Sequence, residues 1–401
     1  MPLNAEAEKY RALDLKYGAQ NYAPLPVVLR RGKGVFVWDI DGRRYFDMLS
    51  AYSAMNQGHN HPKIAAAAKA QMGKLTLTSR AFYNDLLGPF LMRLCELTGQ
   101  DKAILMNSGA EAVETAIKAM RLWGYRKKSI PAGQAEIIVC EGNFHGRTTT
   151  IVGFSSDPDS YEDFAPATPG FKKIPYGSQE ALETAITPNT CGFLVEPIQG
   201  EAGVVIPPTG YLKKARELCA KNNVLFCADE IQTGLGRCGK MFCLDYEGIR
   251  PDLIILGKAL SGGFYPISAV CSRQDVLGLF RPGTHGSTFG ANPLACAIGQ
   301  AALDVIIKEK LPAKAAQIGE YFKTGLARLK HQKIKEVRGK GLLLALEFSS
   351  KARPFCEILL KNGVLAKDTH HSTVRFAPPL IITSRQIDQV LDLIEQALAE
   401  F

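Results

Sequence analysis

The chain has 401 residues, of which 46 % are apolar and 22 % charged, and carries a formal net charge of +9. That balance supports a large buried core and excludes a disordered chain. The surplus of Lys and Arg is spread without a dense basic run, which suits a small anionic partner better than a nucleic acid.

The N-terminal stretch Met1-Pro-Leu-Asn-Ala-Glu-Ala-Glu is polar and acidic, with no apolar signal core and no Arg-rich transit pattern. The expected location is the cytoplasm. No apolar run reaches the roughly 18 residues that a membrane helix needs. Val35-Phe-Val-Trp reads as a strand. Val113, Ala116, Ile117, Met120 and Trp123 form the apolar stripe of a helix opened by Asn107-Ser-Gly-Ala-Glu-Ala. Ile137-Ile-Val-Cys, Phe193-Leu-Val, Val224-Leu-Phe-Cys-Ala and Leu253-Ile-Ile-Leu are continuous apolar runs, with a helix predicted at Tyr211–Lys221 between the second and third. Such runs suit parallel strands covered on both faces, and their alternation with helices predicts an open α/β sheet.

From Asn292 to Leu329 the pattern is helical and Ala-rich. Strand-like Gly341-Leu-Leu-Leu-Ala-Leu-Glu follows, then a helix near Pro354–Asn362, strand-like Thr373-Val-Arg-Phe-Ala and a helix from Ser384 to Phe401. The expected division is an N-terminal segment (1–52) packing with a small C-terminal α+β domain (311–401), and a large, mostly parallel open-sheet domain (53–310). Ten cysteines occur without a CxxC pair, several inside apolar runs. They are expected to be reduced, with no metal site.

Three charged residues follow buried strands: Glu196, Asp229 and Lys258. Ligands of open α/β sheets gather at the carboxyl ends of strands. A lysine placed there is tolerated when it is covalently neutralised or when its pKa is lowered enough for it to act as nucleophile and base. Otherwise it is a surface lysine capping a strand. Asp229 on the preceding strand favours the first reading: a pyridoxal ring is an electron sink only while its nitrogen is protonated, and a buried carboxylate keeps it so. Gln232 is placed to hydrogen-bond the ring hydroxyl. Ser108 and Glu111 have capping-box spacing, and the free N–H groups of Gly109 and Ala110 at a helix start suit a phosphate. Ser287 and Thr288, in Gly286-Ser-Thr-Phe-Gly, offer a second donor group. Phe144 can stack on the ring, and Arg147 is a candidate two-pronged carboxylate clamp. Glu201 and Arg375 are expected to pair.

Other features are weaker. His59-Asn-His61 lacks a third metal ligand and reads as a loop. His370-His371 reads as a polar turn. Gly32-Lys-Gly34 lacks phosphate-loop spacing. Gly234-Leu-Gly-Arg-Cys-Gly has dinucleotide-type glycines without the strand before them, and reads as a loop.

Together, Asp229-Glu-Ile-Gln-Thr-Gly, Gly257-Lys-Ala-Leu-Ser-Gly-Gly, Glu196-Pro-Ile-Gln-Gly-Glu and Gly283-Thr-His-Gly-Ser-Thr-Phe-Gly resemble the class III (ω-) aminotransferases of pyridoxal fold type I, over nearly the whole chain. Tyr17-Gly-Ala-Gln-Asn-Tyr, Ser50-Ala-Tyr-Ser-Ala-Met-Asn-Gln-Gly-His, Leu75-Thr-Leu-Thr-Ser-Arg-Ala-Phe and Arg375-Phe-Ala-Pro-Pro-Leu are similar to members that take L-ornithine as donor and 2-oxoglutarate as acceptor. N-acetylornithine or another ω-amine is the alternative donor. A pyridoxal racemase or mutase, or a non-catalytic regulator on the same fold, is the more distant rival.

The resemblance implies a homodimer with its active site at the interface and pyridoxal 5'-phosphate bound covalently by Lys258, with Asp229 at the ring nitrogen. It also implies that Phe144 stacks on the ring and Gln232 bonds its hydroxyl. Ser108, Gly109 and Ala110 would hold the phosphate, helped by Thr288 from the other subunit. Arg147 would hold the α-carboxylate and Tyr22 the α-amine, with Tyr52 lining the same pocket. Glu201–Arg375 would open for 2-oxoglutarate. His145 stands where eukaryotic ornithine members often carry Trp, and Gly290-Ala-Asn-Pro has alanine where glycine is common.

Overall fold

The computed structural model describes residues 4–401. Met1, Pro2 and Leu3, part of the N-terminal stretch considered above, lie outside the described residues.

Three strands come first: β1 (Leu29–Lys33), β2 (Phe36–Asp39) and β3 (Arg44–Asp47). The centre is a seven-stranded sheet of β4 (Lys102–Met106), β5 (Glu136–Cys140), β6 (Phe171–Ile174), β7 (Thr190–Val195), β8 (Leu225–Asp229), β9 (Leu253–Leu256) and β10 (Ser268–Ser272). Its order is β4-β10-β9-β8-β7-β5-β6, and only β10 runs against its neighbours. The C-terminal part adds β11 (Ile334–Lys340), β12 (Leu343–Phe348), β13 (Val364–Leu365), β14 (Lys367–Thr369) and β15 (Thr373–Phe376). β11, β12, β15 and β14 make one antiparallel sheet. β13 leaves it to pair in parallel with β3, which ties the N-terminal segment to the C-terminal region through shared backbone hydrogen bonds.

The long apolar runs are explained by burial on both faces. Along β8, Leu225 and Cys227 pack with the helix Gly109–Arg126, while Phe226 and Ala228 pack with the helix Tyr211–Lys221 on the other side. Along β7, Leu194 takes the first face and Phe193 and Val195 the second. Each fully buried side chain of this size contributes about 1.5–3 kcal/mol.

The predicted helix Asn292–Leu329 is two helices, Pro293–Lys308 and Leu311–Arg328. Lys310 turns the chain at φ +53°, and Pro312 sits at the start of the second helix, where its missing N–H costs nothing. His370 and His371 form a turn at φ +44° and +60°. Among the described residues no helix is long and apolar enough to cross a membrane.

Candidate active site

The carboxyl ends of β4, β5, β7, β8 and β9 lie along one edge of the central sheet. Connections leave β5 and β7 in opposite directions, the kind of switch point at which open α/β sheets hold ligands. Glu196 follows β7, Asp229 closes β8, and Lys258 follows β9 after Gly257. Lys258 is held at φ +43°, an unfavourable conformation for a side-chain-bearing residue. Gly262 and Gly263, also at positive φ, complete its turn; a Cβ at Gly263 would lie 1.9 Å from the Met55 sulfur. Burial lowers the Lys258 ammonium pKa, against the opposing pull of Glu201 and Asp229. Among the described residues the Lys258 amine has no hydrogen-bond or ion-pair partner, as suits an amine reserved for covalent work.

Asp229 is buried and doubly fixed. Its Oδ1 accepts the Ile231 N–H at 3.0 Å, and its Oδ2 faces Nδ1 of the buried His145 at 2.7 Å. Burial pushes the His145 pKa down, but the Asp229 hydrogen bond and charge outweigh it, and the net shift is upward. The Phe144 N–H donates to Glu196 at 3.0 Å, which fixes the loop after β5 against the end of β7. Burial pushes the Glu196 carboxyl up to about 7. The His145–Asp229 contact joins residues 84 apart in sequence and was not anticipated. The only hint in sequence was a histidine in the loop after a buried strand.

The helix Gly109–Arg126 begins at the same edge with a complete capping box. The Ser108 hydroxyl accepts the Glu111 N–H at 3.2 Å, and the Glu111 carboxylate accepts the N–H groups of Asn107 and Ser108. The first-turn N–H groups of Gly109 and Ala110 have no intrahelical partner and are available to face an anion. Ser287 lies against this turn, where its Oγ accepts from the Asn107 amide at 3.0 Å and the Gly290 N–H at 2.9 Å. Thr288 is exposed. Ala291 adopts φ +67°, a conformation that favours glycine. An anion cradle, a stacking ring at Phe144, a fixed carboxylate and an unpartnered amine at one sheet edge fit pyridoxal 5'-phosphate.

The wall of the cleft is assembled from distant segments. Arg375, on β15, is buried and donates to Glu201 Oε1 at 2.7 Å and to the Gly200 carbonyl at 3.2 Å. The Gln232 amide nitrogen donates to the same Glu201 oxygen at 3.0 Å. Gly200 has to be bare here, because a Cβ would fall 1.4 Å from Gln232 Oε1. Burial alone would raise the Glu201 carboxyl, but Arg375 outweighs that and brings it down to about 2. The Tyr52 ring lies 5.1 Å from the Arg375 guanidinium carbon. Tyr52 rides on a left-handed turn, Ser50 to Ser53, with φ from +46° to +76°. Such geometry costs about 1–2 kcal/mol per residue before compensation. Tyr22, which is 72 % exposed, lines a cavity of about 440 Å³ with Tyr52. Arg147 is exposed, stacked 5.5 Å from Phe144, and among the described residues carries no ion pair.

His59 and His61 do not converge: His59 bonds Asp47 at 2.7 Å and His61 lies 3.3 Å from Glu309. Among the described residues no cluster suits a metal. The Gly234–Gly239 segment is a loop, but its Arg237 is completely buried and has no carboxylate partner among the described residues. It donates to the Leu342 and Pro378 carbonyls and to Asn56. Desolvation lowers the Arg237 pKa to about 9. Nothing in the loop's sequence pointed to that burial.

The family model for class-III aminotransferases matches residues 17–398. The ornithine aminotransferase of Geobacillus sp. is 57 % identical, with 96 % of each chain covered. Among solved structures, the ornithine aminotransferase from Toxoplasma gondii matches with a TM-score of 0.97 at 46 % identity, over 98 % of this chain and 95 % of that one. The acetylornithine aminotransferase from Elizabethkingia anophelis matches with a TM-score of 0.92 at 52 % identity, over 98 % and 99 %.

Proposed function

Since this chain belongs to the class-III aminotransferases, we infer that it transfers the δ-amino group of L-ornithine to 2-oxoglutarate, giving glutamate 5-semialdehyde, which cyclises to pyrroline-5-carboxylate, and glutamate. The cofactor is pyridoxal 5'-phosphate, which supplies an aldehyde for the amine and an electron sink for the pair left on carbon when a proton departs.

The observation that carries the donor is the contrast between two arginines. Arg147 is exposed and has no ion pair among the described residues, whereas Arg375 is buried and neutralised by Glu201. A donor with one carboxylate, far from the reacting amine, needs the first arginine free and the second silent. Arg147 would bind the ornithine α-carboxylate, and Tyr22 would hold the α-ammonium away from Lys258. The neutral amine of Lys258, favoured by burial, would remove a proton from the δ-carbon. Asp229, fixed by His145, would keep a proton on the cofactor's ring nitrogen, with Phe144 against the ring and Gln232 at its hydroxyl. The cradle of Ser108, Gly109 and Ala110, with Ser287 beside it, would take the phosphate. The acceptor 2-oxoglutarate carries a carboxylate beside its keto carbon. That group would draw Arg375 away from Glu201.

We place a homodimer in this reading. Phe82, Tyr83 and Phe289 are large apolar side chains left exposed by the single chain, and Thr288, next to Phe289, would reach the neighbouring cradle. The sheet memberships set strands within 29–47 and 334–376 apart from the central strands within 102–272, which accords with a division at 52/53 and 310/311. The ten free cysteines, nine of them buried, suit a reducing cytoplasm.

The test is to add L-ornithine, N-acetylornithine and 4-aminobutyrate separately to the yellow holoenzyme and follow loss of the cofactor's visible band. Ornithine is expected to react fastest. A faster reaction with N-acetylornithine would overturn the donor.

A further inference from the structure

The loop that carries Tyr52 is closed at its base by Asp47 and His59, which line the cavity of Tyr22 and Tyr52 rather than the sheet edge where Lys258 and Asp229 stand. Asp47 is the last residue of β3 and is buried. Its Oδ1 accepts the Leu49 N–H at 3.0 Å and the Ser50 N–H at 2.8 Å, the two amides that lead into the left-handed turn. Its Oδ2 accepts from His59 Nε2 at 2.7 Å. His59 is held in turn. Its backbone exchanges hydrogen bonds with Gly34 at 2.8 and 2.9 Å, and its ring lies so close to Gly32 that a Cβ there would meet Nδ1 at 2.7 Å. The backbone therefore approaches the imidazole from one side and the carboxylate from the other.

Four consecutive non-glycine residues, Ser50, Ala51, Tyr52 and Ser53, have positive φ. A strained turn persists only where its surroundings over-determine it. Among the described residues, the two hydrogen bonds to Asp47 are the side-chain hydrogen bonds that enter this turn, and the Ala54 N–H to Ser50 carbonyl bond at 2.9 Å closes it. What the turn delivers is the Tyr52 ring, standing on the Arg375 guanidinium.

We propose that Asp47, buttressed by His59, is a specificity-determining positioning residue: it holds the left-handed turn that stands Tyr52 on Arg375, and so keeps Arg375 confined against Glu201 while ornithine reacts. This rests on the reading of Glu201–Arg375 as the switch between the two substrates. With Tyr52 in place, one face of the guanidinium is covered and its approach to a second carboxylate is restricted. With the turn released, the guanidinium is open to glutamate, and the preference for ornithine falls. A cation–ring contact of this kind accounts for roughly 3- to 30-fold in such a preference.

The experiment compares the single-turnover rates of the holoenzyme with ornithine and with glutamate, and the binding of unreactive glutarate by calorimetry. It uses wild type, Tyr52→Ala, Asp47→Ala and the double variant. Asp47→Ala is expected to lower the ornithine-to-glutamate ratio about tenfold and to tighten glutarate, with unchanged cofactor content. In the Tyr52→Ala background the same substitution is expected to do nothing further, because its effect passes through that ring. Asp47→Asn, whose amide oxygen accepts the same two N–H groups, is expected to restore the ratio. If Tyr52→Ala shifts the ratio and Asp47→Ala does not, or if the two effects multiply, the positioning role is wrong and the switch reading stands. If Tyr52→Ala itself leaves ratio and glutarate unchanged, the role of Tyr52 falls and this inference with it. Should Asp47→Ala fail to fold, His59→Ala decides: a fall in the ratio of about threefold supports the proposal, and an unchanged ratio refutes it.

Discussion

Lys258, Asp229 and Glu196 stand at the ends of three neighbouring strands, so their spacing follows from the inter-strand distance of about 4.8 Å. Glu201, Arg375 and Tyr52 come from a loop after β7, from β15 in another sheet and from the turn after β3. The first group is positioned by a single element that is buried on both faces. The second is positioned by how separate sheets pack, by one salt bridge and by one strained turn. A floor built this way suits chemistry that must not vary between half-reactions. A wall built from movable parts suits a choice between a donor with one nearby charge pattern and an acceptor with another.

If that division holds, damage to the floor stops both half-reactions and damage to the wall redistributes them. The largest effect is expected from Lys258→Ala, which in the proposed reading removes both the covalent anchor and the base. Turnover should fall by roughly ten-thousandfold or more with either substrate. Steady-state assays with ornithine and with glutamate check it, and near-wild-type turnover would end the mechanism.

Asp229→Ala should cost at least about a hundredfold in both half-reactions if Asp229 holds the ring nitrogen's proton, as proposed. It also strands the Nδ1 of the buried His145, an unpaired group worth about 1–3 kcal/mol. Stopped-flow rates and a melting curve measure the two effects separately. An unchanged rate with a lowered Tm would make Asp229 a structural residue only.

The floor is legible in the residues themselves, whereas for the wall the sequence shows the Glu201–Arg375 pair but not the geometry that holds it. β7, β8 and β9 are buried on both faces, so they read as unbroken apolar runs, and the charged residues after them are conspicuous. β10, Ser268-Ala-Val-Cys-Ser, is flanked by serines whose hydroxyls bond carbonyls of Ser108 and Asp252, so its ends look like loop. The Ser50–Ser53 turn contains no glycine to announce its positive φ. Arg237 looks like a surface arginine among glycines; only packing of three distant segments around it makes it core. The Arg375–Glu201 pairing was expected, but the place of Gln232 inside it depends on Gly200 leaving room for its amide, a contact between residues 32 apart.

Tyr22 belongs to the wall, and its loss should act on one donor only. A hydrogen bond to a charged group accounts for about 1.5–3 kcal/mol, so Tyr22→Phe should lower kcat/KM for ornithine by roughly 10- to 150-fold. 4-Aminobutyrate has no α-ammonium and should lose little. Equal losses for the two donors would reduce Tyr22 to packing in the N-terminal segment.

The smallest change, and the one that bears most directly on the comparison, is expected from Glu201→Ala. Without the carboxylate, Arg375 keeps its charge but loses its partner at 2.7 Å. Glutamate, whose α-carboxylate lies beside the reacting amine, should then react faster relative to ornithine, by about tenfold if one charge-assisted hydrogen bond is at stake. Lys258 and Asp229 are untouched, so the slower donor should still turn over. The charge state gives an independent check. Arg375 holds the Glu201 carboxyl down at about 2. A group with a depressed pKa keeps its charge above that value and loses it only as pH falls through it. The wild-type ratio of the two rates should therefore stay level from about pH 5 to about pH 9, even where the individual rates follow the Lys258 amine, whose lowered pKa brings its neutral form in at lower pH than an ordinary lysine. Single-turnover rates for both donors across that range, in wild type and Glu201→Ala, test the point. A ratio that titrates in wild type and not in the variant would mean that Glu201 changes protonation during the cycle, and the wall would then switch by proton transfer rather than by movement of Arg375.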